Sequence, residues 1–174
     1  MLFRSEKTKK YTAIVSEIAI ISRIVVTDFA GNENSIAVEY TGNGAYEFSL
    51  DGIFFQESPK FNNIAAGEYV IYVRDKNGCG LSLPFTTYVL DYPRFFTPNG
   101  DGYNDLWKIK NINNLAQTTL FIYNRFGKLL KQLNTSDFGW NGTFDGNALP
   151  ADDYWFNLMF EDGKIIKGHF SLKR

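Results

Sequence analysis

Glu68-Tyr69-Val70-Ile71-Tyr72-Val73-Arg74, closed at once by Asp75-Lys76-Asn77-Gly78, is a run of aromatic and β-branched residues ended by turn chemistry. The same unit recurs on both sides of it. Upstream, Ile24-Val25-Val26-Thr27 and Ile36-Ala37-Val38-Glu39-Tyr40 flank Gly31-Asn32-Glu33-Asn34. Tyr46-Glu47-Phe48-Ser49-Leu50 then alternates into Asp51-Gly52 before Phe54-Phe55, a hairpin signal. Downstream come Phe85 to Tyr92, Leu106-Trp107-Lys108-Ile109, Thr118 to Tyr123, Lys128 to Leu133, Tyr154 to Phe160 and Ile165 to Leu172. Turn residues separate them: Arg125-Phe126-Gly127, Asn141-Gly142, Asp145-Gly146 and Asp162-Gly163. No apolar period of 3.6 lasts the roughly 10 to 12 residues that a helix needs. The expected fold is therefore all-β, two consecutive small antiparallel β-sandwiches of immunoglobulin-like type with almost no helix. Tyr92-Pro93 makes a stiff extended joint, and Thr97-Pro98-Asn99-Gly100-Asp101-Gly102 breaks the strand pattern, so the boundary is placed near residue 91, with domains at 23–90 and 91–174.

Composition narrows the function classes. The chain has 174 residues, 18 Lys and Arg against 19 Asp and Glu, and a net charge of −1, so no basic excess exists to neutralise a phosphate backbone and nucleic acid is not an expected partner. A single His169 and a single Cys79 are too few for a zinc site, a His-based triad or a Cys–His dyad, and they exclude an intrachain disulfide. No cofactor is required by this inventory. Met1 to Lys10 carries Arg4, Lys7, Lys9 and Lys10 ahead of the mostly apolar Tyr11 to Ile21, which imitates a signal peptide. Glu17 interrupts the run, no small-residue cleavage site follows, and the apolar pattern resumes at Ile24, so that reading is rejected. If the protein is exported, its export signal is expected upstream.

One loop has the spacing of a cation site. With Thr97 as position 1, Asn99 falls at 3, Asp101 at 5, the Tyr103 carbonyl at 7 and Asp105 at 9, with Gly102 at the sixth place, where a calcium loop turns sharply. Position 12 is Lys108, where an EF-hand has a bidentate Glu. Two readings stand: weak structural calcium of extracellular type, or consecutive Asx-turns in which the side chains bond their own backbone. Asp152-Asp153 resembles an acid/base pair, but strand neighbours point to opposite faces. Trp107, Trp140, Tyr154 and Trp155 suit either a sugar-binding surface or a core, and the core is the expectation. At the end of the chain, Lys164, Lys167, Lys173 and Arg174 follow the last acid, Asp162. The pattern Gly168-His169-Phe170-Ser171-Leu172 implies a strand, either a lysine-guarded edge or an edge that another protein recognises.

Phe96-Thr97-Pro98-Asn99-Gly100-Asp101-Gly102-Tyr103-Asn104-Asp105-Leu106-Trp107, Ile122-Tyr123-Asn124-Arg125-Phe126-Gly127, Trp140-Asn141-Gly142, Leu149-Pro150 with Tyr154, and Gly168-His169-Phe170-Ser171-Leu172-Lys173-Arg174 together resemble the gliding-motility-associated C-terminal domain. That family is the type B sorting domain of the type IX secretion system. Asn141 departs from the Asp often found in the W-x-G turn. Residues 24–90 are similar to the last repeat of SprB-like gliding adhesins, which makes residues 1–22 the remnant of a preceding repeat or a linker. The resemblance implies a non-catalytic address at 91–174. An outer-membrane translocon and a SprF-like carrier would read Lys167, Gly168, His169, Phe170, Leu172, Lys173 and Arg174 and deliver the upstream chain to the cell surface. A calcium-dependent adhesive or carbohydrate-binding surface module is the alternative. The fragment alone is expected to be monomeric.

Overall fold

The structure, a computed structural model, describes residues 15–115 and 117–174. The basic run 1–10 and the start of the apolar stretch after it lie outside the described residues. The described residues form short β-strands and two three-residue 3₁₀ turns, Gly31–Glu33 and Ile112–Asn114, so the all-β expectation holds. No helix among them is long and apolar enough to cross a membrane. Two three-stranded sheets lie in the N-terminal half. One has the order β1 (Ile20–Thr27), β2 (Ser35–Thr41), β4 (Lys60–Asn62), and the other β3 (Tyr46–Ser49), β5 (Gly67–Asp75), β6 (Phe85–Val89). The described residues divide into two compact units. One comprises the residues up to Val25 with Ala37–Lys60 and Val70–Phe85, and the other comprises Val26–Ile36, Phe61–Tyr69 and Thr86–Arg174.

In the first unit Ala19, Val38, Tyr46, Phe48, Ile71 and Val73 are buried. Tyr46 to Ser49 of β3 pairs antiparallel with Asp75 to Tyr72 of β5. The Asp51-Gly52 hairpin expectation is corrected here. Asp51 Oδ1 accepts the backbone N–H groups of Ile53 and Phe54, at 2.8 and 2.9 Å, and a wide loop closes on the single bridge Phe48↔Gln56. Ile53 and Phe54 are exposed as a result. The carboxylate satisfies the backbone locally, which competes with a two-residue hairpin turn.

The second unit is built on a five-stranded sheet, order β7 (Phe95–Phe96), β13 (Ile165–Leu172), β12 (Asp152–Met159), β8 (Thr119–Tyr123), β9 (Leu129–Asn134). A two-stranded ribbon, β10 (Thr143–Phe144) and β11 (Asn147–Ala148), lies beside it in sequence. Period-2 alternation turns Leu120, Ile122, Tyr154, Phe156, Leu158, Phe170 and Leu172 inward. Leu130 and Leu133, three apart, both reach the core because the register slips between Ile122 and Tyr123, a bulge that re-aims the strand. The inner face is covered by Leu90, Phe96, Trp107, Ile109, Ile112 and Trp140. Leu106 to Ile109 is not the regular strand expected. Trp107 instead makes an isolated bridge to Trp140, their backbones exchanging N–H···O bonds of 2.8 and 2.9 Å, which fixes both indoles over the sheet.

Gly168 lies opposite Phe156 in the β12–β13 register. A Cβ there would sit 2.6 Å from Phe156 Cε1 and 2.9 Å from the Tyr92 hydroxyl, so two rings occupy the space that a side chain would need. Gly168→Ala should therefore destabilise the protein by about 1–3 kcal/mol through overpacking, whereas His169→Ala, one residue away on the exposed face, should stay within about 0.5 kcal/mol. Urea unfolding of the two variants, followed by tryptophan fluorescence, checks the difference.

Candidate functional site

Strand β13 has two chemically distinct faces. Phe170 and Leu172 are 0% and 2% exposed, while Ile165, Lys167 and His169 are exposed on the other face. Phe170 and Leu172, expected among the recognition residues, therefore belong to the core, and Gly168 to its packing. The side chains left available are those of Lys167, His169, Lys173 and Arg174. Lys173 holds its ammonium 4.2 Å from the Phe95 ring centroid, a cation–π contact, and Arg174 Nε donates to the Leu149 carbonyl at 3.0 Å. Nor is the end of the strand an edge. Phe95–Phe96 pair parallel with Ser171–Leu172, and the Ser171 and Lys173 N–H groups donate to the carbonyls of Arg94 and Phe96, at 2.9 and 3.0 Å. Ile165 to His169, beyond the two-residue β7, has no such neighbour on that side among the described residues.

The loop at Thr97 to Asp105 turns its oxygens on itself. Asp105 accepts Gly100 N–H on one oxygen at 2.7 Å and Gly102 N–H on the other at 2.8 Å. Asp101 accepts Tyr103 N–H at 2.8 Å and the Asn99 amide at 2.8 Å, and Asn99 Oδ1 accepts Asp101 N–H at 3.1 Å. Gly100 and Gly102 take φ of +79° and +88° with open space where a Cβ would be, so the backbone angle is what calls for glycine. Tyr103 N–H, then the Asn99 amide, hold the Asp101 carboxyl below the usual carboxylate range. Oxygens aimed at N–H groups in this way fit the Asx-turn reading of the loop. Among the described residues, no three His, Cys, Asp or Glu side chains gather as metal ligands.

Sequence reasoning missed several neighbours of the strand. Trp155, expected in the core with the other aromatics, is 41% exposed, because alternation along β12 puts it on the outer face between buried Tyr154 and Phe156. Its ring lies 6.5 Å from that of His169, its partner in register. Trp107, Trp140 and Tyr154 are buried, and their polar atoms donate to the carbonyls of Pro93, Thr143 and Pro150 at 2.8, 2.9 and 2.9 Å. Asp152 and Asp153 do not converge. Asp152 faces Arg125 at 3.6 Å, and Asp153 bonds the Ser171 hydroxyl. Arg94, whose guanidinium stacks 3.8 Å over the Tyr92 ring, carried no motif signal.

Because the Asp101 carboxyl is depressed in the fold, the stability it contributes is present above the ordinary carboxylate pKa of about 4 and is lost as pH falls through the lower folded value. Asp101→Asn should flatten the acid limb of a stability-against-pH curve. Adding millimolar calcium or a chelator should shift the melting temperature of the unaltered protein by less than about 1 °C, since a ligand that does not bind the native state leaves its stability unchanged. Differential scanning fluorimetry measures both, and a calcium-dependent rise of several degrees would favour the cation reading over the Asx-turn one.

No curated protein matches the chain. Among solved structures, Tp47, the 47-kilodalton lipoprotein of Treponema pallidum, is similar at 8% identity and a TM-score of 0.31, covering 94% of this chain and 52% of that one. Dimeric latent PorU from Porphyromonas gingivalis is similar at 12% identity and a TM-score of 0.32, covering 88% of this chain and 20% of PorU. The chain thus spans about half the length of the first and a fifth of the second, and neither likeness carries a functional argument. The family model of the CHU_C type IX secretion signal domain matches residues 90–172, the stretch that holds the Asx-turn loop, the five-stranded sheet and the two-faced terminal strand, and this part of the chain is a type IX secretion signal domain.

Proposed function

We propose that residues 91–174 are an address read in the folded state, by an outer-membrane translocon and a SprF-like carrier, through the outward side chains of Lys167, His169, Lys173 and Arg174. The upstream immunoglobulin-like domain at 23–90 belongs, on this reading, to a gliding adhesin delivered to the cell surface. One observation supports it above the others: the final strand seats Phe170 and Leu172 in the core and turns Lys167 and His169 outward, beside the exposed Ile165, so one segment completes the fold and presents cationic and imidazole side chains to solvent. A rigid domain with an exposed patch is what recognition requires, and no titratable constellation accompanies it, so no catalytic step is assigned.

Truncating the strand cannot test this, because loss of Phe170 and Leu172 removes core. A fluorescent passenger carrying residues 91–174 should reach the surface of cells that hold a type IX translocon and stay inside cells that lack it. The double variant Lys167→Glu with Lys173→Glu should cut surface delivery by roughly tenfold or more, the scale of losing charged contacts at an interface, with little change in melting temperature. Phe170→Ala should lose about 3–5 kcal/mol of stability and delivery with it. Undiminished export of the double variant would show that the basic face is not what is read.

A further inference from the structure

The outer face of the sheet carries a second feature beside the residues of the sorting reading. Alternation and register place Tyr123, Trp155 and His169 in one row across β8, β12 and β13, with Phe121, Asn157 and Lys167 in the next. A shallow cleft of about 420 Å³ opens over this face, lined by Tyr123, Asn124, Arg125, Gly127, Trp155 and Asn157. Trp155 is 41% exposed in mid-strand, where burial would have been available on the opposite face. Arg125 bends over from the β8–β9 turn, its guanidinium 3.6 Å from Asp152 and 5.1 Å from the Phe126 centroid, with most of its donors still unused. Among the described residues, the Tyr123 hydroxyl and the Asn157 amide have no hydrogen-bond partner.

We propose that this cleft is a saccharide-binding subsite whose ligand is an acidic sugar, a uronic acid residue of a larger glycan. A pyranose ring offers one apolar face and an equatorial rim of hydroxyls. Trp155 supplies a flat apolar surface for the face, and Asn157, Tyr123 and Arg125 supply donors and acceptors at the rim. A protein hot spot calls for a different setting, with an aromatic anchor sealed by neighbours that exclude water. The surroundings of Trp155 are instead open and mostly polar: Tyr123, Asn124, Arg125, Gly127, Asn157 and His169. Charge selects the class of sugar. Arg125 lines the cleft, its 3.6 Å approach to Asp152 is too long for a hydrogen bond and leaves the guanidinium's donors for a ligand, and Asp153, farther along β12, is bonded to Ser171. A carboxylate on the sugar would find a guanidinium suited to bidentate contact.

The test titrates the whole chain with trigalacturonate and, as the neutral control, with maltotriose, following binding by calorimetry. Trigalacturonate should bind and maltotriose should bind at least about tenfold more weakly, the size of one charged hydrogen-bonded contact. Trp155→Ala should abolish binding while leaving the melting temperature within a few degrees, and Arg125→Gln should remove the preference for the acidic sugar. No binding of either sugar at millimolar concentration, or binding that survives Trp155→Ala, would overturn the proposal. Equal binding of the two sugars would overturn its acidic part. Loss of passenger export in Trp155→Ala without any sugar binding would make the face a protein-docking surface instead. The Lys167→Glu, Lys173→Glu export assay stands apart from all of these, so failure of one reading does not decide the other.

Discussion

Trp107 and Phe170 stack at 3.6 Å between ring centroids and 12° between planes, and both are completely buried. One comes from the irregular segment after the Asx-turn loop and the other from the final strand, so the contact ties the start of the secretion signal domain to its end. Around the pair, Phe96, Phe156, Trp140, Tyr154 and Tyr92 meet in tilted and edge-on arrangements at 4.8 to 6.1 Å, with Tyr154 stacked on Phe170 at 6.3 Å, within the range of geometries that ring quadrupoles favour. Such pairs contribute roughly 0.5–1.5 kcal/mol each beyond the area they bury. A small domain without a disulfide draws on this density, because a chain of this size buries a smaller share of its surface than a larger one.

On the proposed reading, that constraint ties recognition to folding. The residues that finish the core and those that face solvent alternate along one strand, so the strand cannot present Lys167 and His169 outward unless Phe170 and Leu172 are seated inward. An unfolded passenger would display the same side chains in no fixed arrangement. Arg174 extends the arrangement past the last strand residue, donating to Leu149 at 3.0 Å and approaching Gly142 at 3.5 Å. Gly142 in turn must lack a side chain, since a Cβ there would lie 2.5 Å from Leu172 Cδ1. The W-x-G turn and the terminal strand therefore specify each other across the core.

Much of this was legible beforehand, and the misreadings have a common cause. Strands β8, β9, β12 and β13 fall within a residue or two of their expected spans because period-2 patterning is a local property of the chain. The inward sets at Tyr154, Phe156 and Leu158 follow from it directly. Trp155 defeated a reading by residue type, since composition says that tryptophan is buried while its place in the alternation says that it is not, and the alternation prevails. Leu106 to Ile109 reads as a strand, yet its partner is one residue, Trp140, supplied by a turn 33 positions away, a pairing invisible to local propensity. The Asp51-Gly52 signal failed for a third reason, namely that side-chain acceptance by Asp51 satisfies the loop before a hairpin register can form.

Asp51 belongs to a wider pattern. In the first unit Asp75, 3% exposed, is pushed up in pKa by burial, but the N–H groups of Cys79, Asn77 and Ala45, with the Ser16 hydroxyl, outweigh that and hold its carboxyl below the ordinary range. Asp51 is held down by the N–H groups of Ile53 and Phe54, and Asp101 by Tyr103. Each of these carboxylates closes a loop by accepting backbone N–H groups two to four residues ahead, a task that proteins with more cysteine give to disulfides and calcium modules to a metal ion. The bond is charge-assisted only while the carboxyl is ionised, so every such loop weakens together as pH falls through the depressed values. A protein stapled by carboxylates is insensitive to reductant and sensitive to acid, and in both units the turns between strands rest on that chemistry.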